Sequence, residues 1–296
     1  HGGFYQAVAD GSYAACGLDV TIRPGGPQVN NRALMSAGKI DFYMGGNLLY
    51  AFSAVEQGIP SRIVAAIFQK DPQVLLSHPG AAKSFEELKD LDVMLISDSG
   101  FQSFYRWLMT DYGFPADKRR PYTFNSAPFV TNPRAVQQGY VTSEPFAIER
   151  EAGFAPDIWL LADHGFSTYA TTIETMQATI DERPEVVQCF VDASIIGWYN
   201  FFYHDNSAAI ARIKADNPDM TDAQIAFSIA KLKEFGIVDS GDAKRLGIGA
   251  ITDARVKDFY DKMVRAGVVA AGLDIARAYT TDFVNRGVGL DLAPGN

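Results

Sequence analysis

Short apolar runs alternate with helix-period segments over the first two thirds of the chain. Leu18-Asp19-Val20-Thr21-Ile22 alternates at period two and predicts a strand, closed by Arg23-Pro24-Gly25-Gly26-Pro27. A helix is expected over residues 29–37, with Gly38 as its stop. Residues 40–44 predict a strand running into Gly45-Gly46, and Asn47 is placed to cap the next helix, which ends near Gln57. Residues 62–68 and 73–77 read as buried strands. This β-α-β-α order argues an α/β fold with parallel-rich sheets.

The character changes near His78-Pro79-Gly80. Ser84-Phe85-Glu86-Glu87 carries a helix-capping signature, and residues 92–96 predict a strand. Ser97-Asp98-Ser99-Gly100 then turns into a helix that stops at Gly113. Further strands are expected at 122–124, 139–142 and 158–162. From Glu174 onward the pattern is almost wholly helical. Residues 184–203 place Val187, Phe190, Val191, Ile195 and Trp198 at helical spacing, with Glu185 and Asp192 between them, which describes an amphipathic core helix rather than a membrane span. Thr221-Asp222-Ala223-Gln224 starts a helix that Gly236 stops, and another covers 252–266. No repeat and no low-complexity linker occurs. Two lobes without a floppy linker imply two chain crossings, near residues 78 and 165, and so a hinge. The expected division is a first lobe over 1–78, a second over 79–166, and a return strand with C-terminal helices of the first lobe over 167–296.

Composition narrows the function classes. The 296 residues suffice for two lobes, and 47% hydrophobic with 21% charged residues describes a globular chain. The net charge is −9, and Lys118-Arg119-Arg120 is the longest basic run, so no nucleic-acid footprint is present. Cys16 and Cys189 form no metal-binding spacing; they read as two buried thiols, with a bond between them left open. An opening at His1, with neither an initiator Met nor a leader pattern, is expected of a processed or trimmed chain. The four histidines occur outside any metal-binding motif, and the nucleophile-elbow, P-loop and dinucleotide-binding patterns are missing. No catalytic set, metal site or cofactor is therefore predicted.

Several segments carry a family likeness. His1-Gly2-Gly3-Phe4-Tyr5-Gln6-Ala7, Gly17-Leu18-Asp19-Val20, Ala37-Gly38-Lys39-Ile40-Asp41-Phe42 and Ser143-Glu144-Pro145 occur in the order seen in the NMT1/THI5-like family, which the chain resembles. The resemblance implies a type 2 periplasmic-binding-protein architecture of two α/β lobes, two hinge crossovers and a helical C-terminal part. It also implies a strand ahead of the His1 position. One class in the family captures small solutes, such as thiamine-precursor pyrimidines, sulfonates or nitrate, outside the cytoplasmic membrane for an ABC permease. The other is a pyridoxal-phosphate-dependent pyrimidine phosphate synthase, whose lysine would fall at Gly45 and whose histidine would fall at Leu49, and whose cysteine-rich motif this chain lacks. The resemblance therefore implies a periplasmic or membrane-anchored monomer that works as a substrate-binding protein and not an enzyme. An anionic sulfonate or carboxylate is the competing ligand.

Ligands of open α/β sheets sit beyond strand ends and at helix starts, which selects the candidate residues. His1 and Tyr5 fit either ligand stacking or the core, and Phe4 fits the core. Gly46 and Asn47 allow close backbone approach and capping, and Phe68 and Gln69 end a buried strand. Asp98, Ser99, Gly100 and Gln102 open a helix with hydroxyls and free N–H groups, where Asp98 disfavours a bare anion. Asn125 and Glu144 follow second-lobe strands, and the Glu144 carboxylate suits paired N–H donors of an aminopyrimidine. Arg106 or Arg134 in the cleft would favour the anion instead.

Overall fold

The computed structural model describes residues 1–25 and 29–294. Gly26 and Pro27 of the expected turn lie outside the described residues. The strands are β1 (Phe42–Met44), β2 (Ser61–Phe68), β3 (Gln73–Ser77), β4 (Val93–Leu95), β5 (Arg119–Arg120), β6 (Ala135–Tyr140), β7 (Asp157–Leu160) and β8 (Ala170–Met176). They form two sheets, ordered β1-β8-β2 and β5-β4-β6-β3-β7. The helices are α1 (Gly2–Ala9), α2 (Ser12–Ala15), α3 (Asn31–Ser36), α4 (Leu48–Glu56), α5 (Asp98–Gly100), α6 (Arg106–Tyr112), α7 (Ala127–Val130), α8 (Glu144–Ala152), α9 (Gln177–Glu182), α10 (Pro184–Tyr203), α11 (Ser207–Asp216), α12 (Asp222–Glu234), α13 (Ala243–Leu246) and α14 (Asp253–Arg265). A π-helical turn, Phe101–Tyr105, joins α5 to α6.

The local signals that formed elements are the ones with internal partners. Asn47 caps α4 through its side chain, which accepts from the Leu49 N–H, and Thr221 caps α12 by accepting from the Gln224 N–H. Gly113 ends α6 in the left-handed region, where its missing side chain removes the strain. Helix α10 spans the expected residues and packs on α1 so closely that a Cβ on Gly3 would lie 2.2 Å from the Trp198 ring. The Gly2-Gly3 pair is thus a packing requirement, which lets the amino-terminal helix reach α10.

Several expectations change. The sheets are mixed rather than parallel-rich: β8 returns antiparallel to both β1 and β2, and β3 is antiparallel to β6 and β7. The return strand expected in the first lobe is β8, and it runs on through Glu174 to Met176, past the point where the pattern turns helical, because it fills the place between β1 and β2. The second sheet takes up residues 119–120 instead of 122–124, and β6 starts at Ala135 and not at 139. The first crossover comes earlier than expected. Strand β3 already pairs in the second sheet, so the chain changes sheets at residues 69–72 and not near 78. Cys16 and Cys189 are disulfide-bonded, with Cα atoms 6.1 Å apart, since α2 and α10 lie side by side.

Leu18 to Ile22 is the most informative change. The segment is extended, yet among the described residues it joins no sheet and no backbone hydrogen bond reaches residues 19–22. Between it and the outer edge of β1 lies a cavity of about 860 Å³, lined by Phe4, Val20, Phe42, Phe190 and Ile229 among others. The opposite edge of this sheet is covered. Ala66 N–H donates to Gly249 O, Ile63 N–H to Ala278 O, and Thr280 N–H to Ile63 O.

Candidate functional site

Strand β1 runs into Gly45, whose backbone lies directly on β8. A Cβ there would stand 2.5 Å from Glu174 Oε1 and 2.6 Å from Thr172 Oγ1. Glu174 is buried, and Arg32 Nη2 donates to both of its carboxylate oxygens, at 3.1 and 3.0 Å. Burial raises the Glu174 pKa, and the Arg32 charge opposes that rise. Two residues on, Asn47 works twice: Oδ1 accepts from the Leu49 N–H, and Nδ2 donates to Asp71 Oδ2 at 2.9 Å. Asp71 is 2% exposed. Its pKa is raised by burial, against the Asn47 amide and the Gln73 N–H.

Tyr50 lies on the first turn of α4 and Tyr140 at the end of β6, on elements from different lobes. Both are exposed, at 51% and 47%, in a molecule that buries most of its large aromatic rings. The Tyr140 hydroxyl holds its proton more tightly than usual, because of burial first and then Asp71, Tyr50 and Glu144. Its surroundings thus combine groups of both lobes. Glu144 starts α8; its Oε2 accepts from the Tyr140 N–H at 2.7 Å and its Oε1 from the Tyr122 hydroxyl at 3.4 Å. Burial and then Glu144 push the Tyr122 hydroxyl up to about 12. Beside them, Ser97 N–H donates to Gln138 Oε1, and Ser97 Oγ accepts from the Gly100 N–H while lying 3.1 Å from Ser99 Oγ.

The fold therefore gathers Gly46, Asn47 and Glu144 around the two tyrosines, and sets Ser99 and Gly100 beside Gln138, two residues before Tyr140. Other expected residues go elsewhere. His1 and Tyr5 line the cavity next to β1, and the Tyr5 hydroxyl donates to Asp216 Oδ2 at 2.7 Å. Phe68 is buried edge-on against Trp198. Gln69 is fully buried; Nε2 donates to the Ala66 and Ala250 carbonyls and so fastens the strand end, while Oε1 has no hydrogen-bond partner among the described residues. Asp98 is exposed and paired with Arg119. Gln102 is exposed, and Asn125 Oδ1 accepts from the Ala127 N–H ahead of α7. Arg134 pairs with Asp92, and the Arg106 guanidinium lies beside Gly267, away from the two tyrosines' segments.

Sequence reasoning missed Tyr50, Tyr140, Tyr122, Asp71, Gln138 and Arg32; Glu174 reads from the sequence as either a cleft group or a solvated helix start. A faint signal exists for two of them. Tyr50 interrupts an apolar helix start with a hydroxyl, and Tyr140 stands four residues before Glu144. Among the described residues no group of three or more His, Cys, Asp or Glu side chains is arranged to hold a metal ion, and no helix is long and apolar enough to cross a membrane.

Residues 1–208 match the family model described as NMT1/THI5 like. No curated protein matches the sequence. Solved structures resemble the chain over nearly its full length. The periplasmic sulfonate-binding protein SsuA from Methylobacillus flagellatus KT is 13% identical with a TM-score of 0.66, covering 95% of this chain and 87% of that one. The periplasmic nitrate-binding protein NrtA from Synechocystis PCC 6803 is 13% identical with a TM-score of 0.60, covering 100% and 88%. The desulfurization enzyme DszB is 14% identical with a TM-score of 0.59, covering 97% and 95%. At these identities the likeness establishes the two-lobed periplasmic-binding-protein fold.

Proposed function

Because the chain belongs to the NMT1/THI5-like family, we propose that it is the solute-capturing component of an ABC importer and not an enzyme. It binds a small, planar, N–H-rich heterocycle, of the thiamine-precursor pyrimidine type, between its lobes and passes it to a membrane permease. It works as a monomer outside the cytoplasm, periplasmic or membrane-anchored. The Cys16–Cys189 bond supports an oxidising compartment. SsuA and NrtA, described as periplasmic binding proteins, support the transport role.

The observation that carries the ligand class is the grouping of exposed Tyr50 and Tyr140 with the Glu144 and Asp71 carboxylates. Two phenol rings suit a flat ligand, and a carboxylate suits paired donors. Among the described residues the cations adjoining these segments are paired, Arg32 with Glu174, Lys70 with Asp163 and Arg119 with Asp98, which favours a neutral or N–H-rich ligand over a sulfonate or nitrate. A synthase-type lysine at position 45 would collide with Glu174 and Thr172.

A thermal-shift screen with aminopyrimidines, sulfonates, nitrate and pyridoxal phosphate tests this reading. A pyrimidine at about 100 times Kd is expected to add roughly 2.7 kcal/mol of apparent stability. Glu144→Ala is expected to weaken that binding by roughly tenfold or more, the worth of a charge-assisted hydrogen bond. A response to anions alone would sink the heterocycle proposal. Schiff-base absorbance with pyridoxal phosphate would sink the non-enzyme reading.

A further inference from the structure

Two stretches of backbone connect the lobes, residues 69–72 and residues 165–169, and one side chain holds both. Arg255 of α14 donates from Nε to the Ser167 carbonyl at 2.8 Å and from Nη2 to the Thr168 carbonyl at 3.3 Å. The same Nη2 donates to the Gln69 carbonyl of the other crossover. The guanidinium carbon stands 4.1 Å from the centre of the Tyr169 ring, and the Tyr169 hydroxyl is fixed in turn by Asp242 and the Thr252 N–H. Nothing in the pattern around position 255 announces this, and it falls beyond the residues the family model matches.

The chemistry explains why an arginine occupies the place. Crossover backbone leaves the sheets, so its carbonyls lose ladder partners and need donors. A guanidinium offers several donors in one plane and accepts an aromatic face beneath it, whereas an ammonium is a point charge. Arg255 can therefore hold carbonyls of two separate chain segments at fixed spacing. Neighbouring α14 groups complete the grip on the return segment, where Lys262 donates to the Gly165 carbonyl and the Ser167 hydroxyl donates to Asp258. Lys70 pairs with Asp163 at 2.6 Å across the same junction, but both groups are substantially exposed, which makes that pair the weaker tie.

We propose that Arg255 is the positioning residue of the hinge, clamping the two crossovers together so that the lobes turn about a single axis. Its role in capture rests on the interlobe binding proposed above, but it is measured without any ligand, so a failed capture screen and a failed clamp give different results. Gln57 and Glu149, exposed residues of α4's end and α8, are replaced by cysteines and labelled for interlobe distance measurement; the native cysteines are bonded to each other. Arg255→Lys keeps the charge but loses the fork. It is expected to broaden the interlobe distance distribution roughly twofold while Tm falls by no more than about 4 °C. Arg255→Met is expected to broaden it at least as much. An unchanged distribution in both variants would overturn the proposal. So would broadening that appears only in proportion to lost Tm, because a general support of the core behaves in that way.

Discussion

The two sheets of this molecule are bounded differently. In the second lobe β4, β6 and β3 are paired on both sides, and parallel and antiparallel neighbours finish the ladder. In the first lobe only β8, among the described residues, has a strand on both sides. One edge of that sheet is dressed by loops at Gly249 and Ala278, while the β1 edge opens on the 860 Å³ cavity beside residues 18–25. A five-residue strand, at about 3.3 Å per residue, about 4.8 Å across and about 10 Å between layers, fills roughly 800 Å³. The difference teaches that a period-two pattern specifies a strand only when a neighbour supplies the other half of its hydrogen bonds. Residues 18–22 have the pattern and lack the neighbour. Without a ladder of its own, this segment is held by side-chain packing and by the disulfide at Cys16 just ahead of it.

That contrast predicts where the molecule is weakest. Replacing Cys16 and Cys189 by serine removes a link across 173 residues of sequence and is expected to cost about 5 kcal/mol on the chain-entropy account. Hydrogen exchange should then quicken in β1, β2 and β8 before β3 and β6; simultaneous loss in both sheets would erase the contrast. A smaller gain is expected from supplying the missing neighbour. An apolar, β-branched peptide segment of about five residues, added in trans at saturating concentration, should raise Tm by a few degrees. A Gly-Ser segment of the same length should leave Tm unchanged, and equal shifts for the two would show that the cavity does not take a strand.

The smallest effect concerns pH at the junction between the lobes. Asp71 has its folded pKa raised by burial, so its contribution favours the folded state below the ordinary aspartate range and is lost as pH rises through the folded value. Asp71→Asn removes that loss. The difference in stability between variant and parent should therefore grow in the variant's favour from pH 4 towards neutrality, as read by urea titration at each pH. A constant difference would mean that the Asn47 and Gln73 hydrogen bonds already offset the burial of the charge.

Much of the fold is legible in the residues because its signals are local. Asn47 and Thr221 cap helices with their own side chains, Gly113 stops one, and Val187 to Trp198 mark a buried stripe that needs no partner to be recognised. Signals that depend on distant segments misled. Glu174 sits in a helical-looking stretch, yet β8 is fixed by the edges it joins. Cys16 and Cys189 pair because α2 packs on α10, which no spacing reveals. The candidate site is legible only where its signals are local. Gly46, Asn47 and Glu144 lie at recognisable strand ends. Tyr50 and Tyr140 gain meaning only when the two lobes are set side by side, and Gln69 offers an amide that the strand end takes for itself.

The Cys16–Cys189 bond has a consequence for the molecule's response to proteases. The covalent loop it closes contains both crossovers and the whole second lobe. A single peptide-bond cut anywhere in that lobe leaves two fragments still linked, which migrate together until a reductant parts them. Exposed loop tips of the second lobe, such as the one at Gly153, can thus be nicked without shedding either half of the protein. The bond preserves the connectivity of the chain after its backbone has been cut.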